Sequence, residues 1–347
     1  MKEALLYDPV GNNRVVCNLC RHYCKILPGH WGICGVRKNI DGKLYTYVFE
    51  NAIAAHVDPI EKKPLFHVHP GSLSFSIATA GCNFHCDFCQ NADIAQITQR
   101  PFLSDINEPS IPGDYLSVGN AVEIAQKRGC RSIAYTYTEP TIFFEYAYEI
   151  SKLASRHKIL NLFISNGYMS PEAIDMIHPY LDAANVDLKG FHQDFYRKKI
   201  GAKLTGVLDS LKLMKEKGIW LEVTTLIVPA YNGDEANLRD IANFIRTELG
   251  IETPWHISRF FPHYKMSHIP PTPPGILKRA REIGYEEGLR YVYTGNLPGD
   301  DGENTFCYQC GKELIHRWGF QVSENNIKDG KCSNCGALID GLGMDPQ

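Results

Sequence analysis

From Ser72 to about Asn296, short apolar runs alternate with longer amphipathic segments. No other feature of the 347-residue chain constrains its fold as tightly. The runs are 73–79, 132–138, 159–165, 183–189, 220–228 and 255–261. Helical periodicity fills most of the gaps between them. Leu238, Ile241, Ala242, Ile245 and Leu249 share one face over 235–249, and Val207, Leu208, Leu211 and Met214 do so over 206–217. Another helix is predicted over 172–178, with Ser170 as N-cap and Pro171 at its first position. Six strand–helix repeats mean a parallel sheet with crossover helices, and strands apolar throughout mean that both faces are covered. A doubly wound sheet and a β/α barrel share this order. Polar residues gather at the C-terminal strand ends: Thr138-Glu139, Ser165-Asn166, Asp187 and Lys189, Thr224-Thr225, and Arg259 to His263. In a barrel that rim is where chemistry sits. Taken singly, such residues are as well explained by helix capping and surface solvation.

The pattern breaks at 297–304, which places a boundary near residue 300. The chain then divides into a Cys-rich extension (1–70), an α/β body (71–299) and a tail (300–347). Net charge is −3, and the cluster Tyr196 to Lys199 reads as a solvated helix end, so neither points to nucleic acid. No apolar run is long enough to span a membrane, and the first residues lack a signal peptide's apolar core. These features imply a cytoplasmic location. There the 12 cysteines are expected to bind metal rather than pair as disulfides. Cys130, alone in an apolar setting, reads as a buried small hydrophobe.

The other cysteines form three groups. Cys307, Cys310, Cys332 and Cys335 make a C-x2-C pair of knuckles, each followed by glycine, the pattern of a zinc ribbon or a rubredoxin-like iron site. In so short a tail the metal would supply folding energy that a small core cannot. Cys17, Cys20, Cys24 and Cys34 form an N-terminal set open to zinc or to an iron–sulfur cluster. Cys82, Cys86 and Cys89 follow the first strand at C-x3-C-x2-C. Three thiolates can hold three irons of a [4Fe–4S] cube and leave the fourth for an exogenous chelator. Zinc with a distant fourth ligand, from His85, Cys130 or His263, is the plainer reading.

Residues 82–89, with Phe88 before the third cysteine, resemble the signature of the radical S-adenosylmethionine superfamily. That resemblance implies a partial (β/α)6 TIM-like barrel, a [4Fe–4S] cluster on Cys82, Cys86 and Cys89, and S-adenosylmethionine on the open iron. It also implies reductive cleavage to a 5′-deoxyadenosyl radical that abstracts hydrogen. Within the superfamily the chain is similar to the glycyl-radical-enzyme activases, typified by pyruvate formate-lyase activating enzyme. Tyr137-Thr138-Glu139-Pro140 stands where they carry Gly-Gly-Glu-Pro around the cofactor's amino group. Ser165-Asn166-Gly167 and Asp187-Leu188-Lys189 match their third and fourth strand ends, although Ile164 replaces an aspartate of their cation site. Pro262-His263 matches a later segment. The resemblance thus nominates Phe88, Thr138, Glu139, Ser165, Asn166, Asp187, Lys189 and His263 as cofactor contacts.

The flanking segments, CNLCRHYCKILPGHWGICGVRKN and DPIEKKPLFHVHPGS, resemble the AmmeMemoRadiSam subfamily, whose name records association with Ammecr-type and Memo-type proteins. Within the second segment, Glu61 to Lys63 reads as a surface run, and His67 and His69 as neighbours facing one way along a strand, either a metal pair or, more simply, polar packing near the barrel mouth. A protein or peptide substrate and a ferredoxin- or flavodoxin-like reductant are expected, with a small-molecule substrate as the alternative. An iron–sulfur electron-transfer or assembly protein would also explain three metal groups, but not the polar strand ends.

Overall fold

The computed structural model describes residues 1–99, 110–297 and 299–346; Pro298, inside the 297–304 break, lies outside them. Eight strands make the central sheet: β1 (Ala54–Pro59), β2 (Leu73–Ala78), β3 (Ser132–Tyr135), β4 (Leu160–Ser165), β5 (Ala183–Asp187), β6 (Trp220–Ile227), β7 (Trp255–Arg259) and β8 (Val292–Gly295). They lie side by side in chain order. β2 to β8 are parallel, and β1 pairs antiparallel with β2. A doubly wound sheet reverses its order at a switch point; this one does not, so it winds as a β/α barrel. β1 and β8 end the order unpaired with each other, which leaves the barrel incomplete.

The helices α1 (Val118–Lys127), α2 (Phe144–Arg156), α3 (Pro171–Ile177), α4 (Leu204–Glu216), α5 (Glu235–Phe244) and α6 (Pro274–Glu286) fill the crossovers. The Ser170 hydroxyl accepts from Ala173 N at 3.2 Å and caps α3, with Pro171 at its start. The parallel sheet holds one strand more than the six read from sequence. β8 is only four residues long, and its Thr294-Gly295 end hides the apolar run.

The extension is not a separate layer. β1 comes from it, and Val15, Leu19, Val36 and Leu44 share one core with Phe75, Ile77 and Phe163 of the barrel. The tail has a small core of its own, built on Leu314, Ile315, Ile327, Ile339 and Met344.

Two readings of the extension need correction. Glu61 and Lys63 are not on the surface but are 2% and 1% exposed. Burial is tolerated because each charge is met: Lys63 Nζ lies 2.7 Å from Asp58 Oδ2, and Glu61 Oε1 lies 3.6 Å from Arg317 Nε. His67 and His69 belong to no strand of the sheet. His69 has a left-handed backbone (φ 43°), and His67 is a buried core residue bound to Tyr293 Oη and to the Asp340 carbonyl, at 2.7 and 2.6 Å. Tyr196, expected at a solvated helix end, is fully buried, and its hydroxyl accepts from Lys189 N at 3.0 Å.

Candidate active site

The loop after β2 carries Cys82, Cys86 and Cys89. It is held by its backbone: His85 N and Asp87 N donate to Ile200 O and Lys199 O, at 2.8 and 2.9 Å. Gly81 opens it with φ 102°, and a Cβ there would meet Val36 Cγ1 at 2.8 Å, so only glycine fits. Phe88 stacks on Phe195, ring centroids 5.7 Å apart and planes nearly parallel. Burial pushes the Cys82 thiol well up, the Cys86 thiol up to about 12 and the Cys89 thiol upward too. The metal-free chain therefore carries thiols, and metal binding must displace their protons.

All three cysteines line one cavity of about 230 Å³ at the C-terminal ends of the strands. Phe88, Thr138, Asn166, Asp187 and Lys189 line it too. Lys189 Nζ sits 3.0 Å from Asp187 Oδ2. Burial works against its charge, but the adjacent Asp187 carboxylate outweighs burial, so Lys189 is held in the ammonium form. Asn166 Nδ2 donates to Asn83 Oδ1 at 2.7 Å and lies 3.8 Å from Cys82 Sγ, joining β4 to the cysteine loop. The Thr138 hydroxyl is spent on Thr79 O, at 2.8 Å.

Three nominated contacts lie elsewhere. Glu139 is fully buried beneath the cavity floor. Its Oε1 accepts from Thr141 N and from the Ser165 hydroxyl, at 3.0 and 2.8 Å, and its Oε2 accepts from Asn166 N at 2.7 Å. With its oxygens so occupied, Glu139 braces the β3 and β4 turns, and Ser165 acts as one of its donors. His263 is exposed and outside the cavity lining.

Sequence reasoning placed Thr224 at the polar end of β6 without giving it a role, and passed over the Tyr137 anchor. Tyr137 holds φ 62° where the resemblance expects glycine. Its hydroxyl donates to Asp58, and Lys63 Nζ lies 4.4 Å from its ring centroid. Thr224 lines the cavity, and its Oγ1 is buried with no hydrogen-bond partner. The quoted DPIEKKP stretch carried the signal for Tyr137; the polar end of β6 carried that for Thr224.

The sequence profile of the Radical SAM superfamily matches residues 76–245, from β2 through α5. An uncharacterized protein of Methanocaldococcus jannaschii is 44% identical over 342 residues, covering 98% of this chain and 99% of that one. The chain belongs to the radical SAM superfamily. Similar solved structures include a domain of pyruvate-formate lyase-activating enzyme from Bacteroides vulgatus (16% identity, 48% of this chain and 99% of that one, TM-score 0.42). A radical SAM methyltransferase from Sphaerobacter thermophilus is also similar (12% identity, 66% and 68% coverage, TM-score 0.49). These likenesses are at the level of fold and say nothing about substrate.

Radical SAM membership implies a [4Fe–4S] cluster and S-adenosylmethionine, and the donor set fits both. Two buried thiols and the half-buried Cys89 thiol line one space, beside a fixed ammonium. The tail cysteines differ. Their four sulfurs lie within 4.8 Å of one another, with Cys307 to Cys335 at 3.6 Å and Cys310 to Cys332 at 3.7 Å. A tetrahedral ion with metal–sulfur bonds of about 2.3 Å requires edges of about 3.8 Å, so this site fits one zinc or iron ion. Gly311 and Gly336, at φ 70° and 77°, close the two knuckles. The Asn334 amide donates to Cys310 Sγ at 3.4 Å and pulls that thiol down.

Proposed function

We propose that this protein is a radical SAM enzyme that modifies or activates a protein or peptide. One observation carries the reading: the three-thiol loop and the polar ends of β3 to β7 open onto a single cavity. When bound there, the cluster and S-adenosylmethionine supply a one-electron cleavage that yields a hydrogen-abstracting 5′-deoxyadenosyl radical. The chain's own residues bind and orient. Cys82, Cys86 and Cys89 hold the cluster, and the Lys189 ammonium meets the cofactor's carboxylate. Thr224 and Phe88 form part of the wall. Asn166 fixes the loop from β4, while Glu139 and Ser165 keep the turns in place beneath.

A second cavity of about 180 Å³ adjoins the first, sharing Thr224 and Ser258. It is lined by Glu61 and Phe66 from the extension, His256 and Tyr293 from the barrel, and Glu303 and Phe320 from the tail. It is the smaller of the two and opens beside the first, which suits a single side chain on an extended segment. Glu61 Oε2 is buried and unpartnered, which suits a hydrogen-bond donor on that side chain. A ferredoxin- or flavodoxin-like protein would supply the electron, and Ammecr-type or Memo-type proteins are the partners to try first.

The test is anaerobic reconstitution, reduction, and assay for 5′-deoxyadenosine. Product is expected from the native chain and not from Cys86→Ala. Equal traces from both would leave a cluster carrier without radical chemistry. With product established, deuterium transfer from labelled candidate proteins into 5′-deoxyadenosine identifies the substrate, and transfer only from small molecules would reject the protein substrate.

A further inference from the structure

We propose that Cys17, Cys20, Cys24 and Cys34 hold a second [4Fe–4S] cluster, closed by four thiolates. The four cysteines line one small cavity, otherwise walled mainly by Leu19, Ile26, Ile33 and Ile142. Cys17, Cys20 and Cys34 are buried and Cys24 is half-buried. Among the described residues, only the tail cysteines gather within 4.8 Å of one another; no three of the N-terminal thiols do. A single tetrahedral ion needs sulfurs about 3.8 Å apart, whereas a cube gives each thiolate its own iron and spreads them wider. Cys82, Cys86 and Cys89, which serve a cube in this superfamily, share the wider spacing.

Charge and position fit as well. Four thiolates in an apolar pocket need a nearby cationic donor, and the guanidinium that touches them is that of Arg37, which Glu145 shares. Arg37 is 1% exposed, and its Nη1 donates to Cys17 Sγ at 3.1 Å. The pocket also adjoins the first site. Asn83 lines it, directly follows Cys82, and accepts from Asn166 of the cofactor cavity. His22, on the same wall, lies 2.8 Å from Asn83 O. With four thiolates no iron is open, so this cluster binds no S-adenosylmethionine.

The test removes the first cluster and counts what remains. The full chain carrying Cys82→Ala, Cys86→Ala and Cys89→Ala is purified without oxygen after expression with added iron. It is expected to retain about four irons and four sulfides per chain, with an electron-spin signal on dithionite reduction. Adding Cys20→Ala should abolish that signal while the tail's metal stays. A triple variant without sulfide overturns the proposal, whether zinc or nothing fills the pocket. Should the variants fail to fold, the native chain decides: about eight irons, with only one cluster's spectrum shifted by S-adenosylmethionine, is expected. About four irons, all perturbed by the cofactor, overturns it. These counts need no turnover, so they stand or fall apart from the 5′-deoxyadenosine assay.

Discussion

Tyr137 carries two burdens at one position. Its backbone is left-handed, which costs a non-glycine residue of order 1 kcal/mol, and its side chain ties the β3 turn to the extension. Burial alone would raise the Asp58 carboxyl, but Lys62, Lys63 and the Tyr137 hydroxyl hold it well below the ordinary carboxylate range. Tyr137→Phe removes one bond to a charged group and should cost about 1.5–3 kcal/mol in urea unfolding. Arg37 and Glu145 form an ion pair with both side chains 1% exposed. Arg37→Met should lose about 3–5 kcal/mol by leaving Glu145 buried and uncompensated. Arg37→Met with Glu145→Met should recover much of that loss in the same measurement. The cysteine groups were legible because spacing alone encodes them. The Asp58–Lys63–Tyr137 cluster was not, because its members are 74 residues or more apart on one side and adjacent to ordinary surface-like charges on the other.

At the scale of elements, strand ends decide what meets at the cavity. β4 ends on Ser165, and Asn166 and Gly167 turn the chain towards α3. Gly167 has φ 71°, and a Cβ there would lie 2.6 Å from Val186 Cγ1 on β5. Gly167→Ala should cost about 1–3 kcal/mol, seen as a lower melting temperature. It should also weaken S-adenosylmethionine binding to the reconstituted protein, because Asn166 moves with the turn; unchanged affinity would detach Asn166 from the site. Most elements could be read from periodicity. β8 and the antiparallel β1 could not, because short edge strands owe their state to pairing rather than to their own pattern.

At the scale of the molecule, the tail is fastened to the barrel through a buried polar network. Glu222 accepts from His67 N at 2.8 Å and lies 2.6 Å from His256 Nε2. His67 reaches Tyr293 and the tail's Asp340 carbonyl. Burial lowers the His67 ring to about 4, against an unfolded value near 6.5. Its stabilisation is therefore complete above about pH 6.5 and fades as pH falls towards 4, by about 3 kcal/mol in all. Glu222, lowered by His256 against the opposing effect of burial, acts in the same direction. Melting temperature should fall between pH 6.5 and 4, and His67→Gln should flatten part of that slope. Metal removal from the tail by a chelator should expose residues 300–346 to protease while the barrel resists, because the tail's own core is small.

Local pattern alone carries the parallel α/β class, the three cysteine groups, and the gathering of polar residues at one end of the strands. Periodicity and spacing are local, and each can be read without knowing what lies opposite. Tertiary structure decided the rest. Strand order selected a barrel. Sulfur spacing made the tail cysteines a single-ion site. Packing turned Glu139 into a brace beneath the cavity rather than part of its wall. Each of these depends on distances between residues far apart in the chain, and such distances are set only when the core closes.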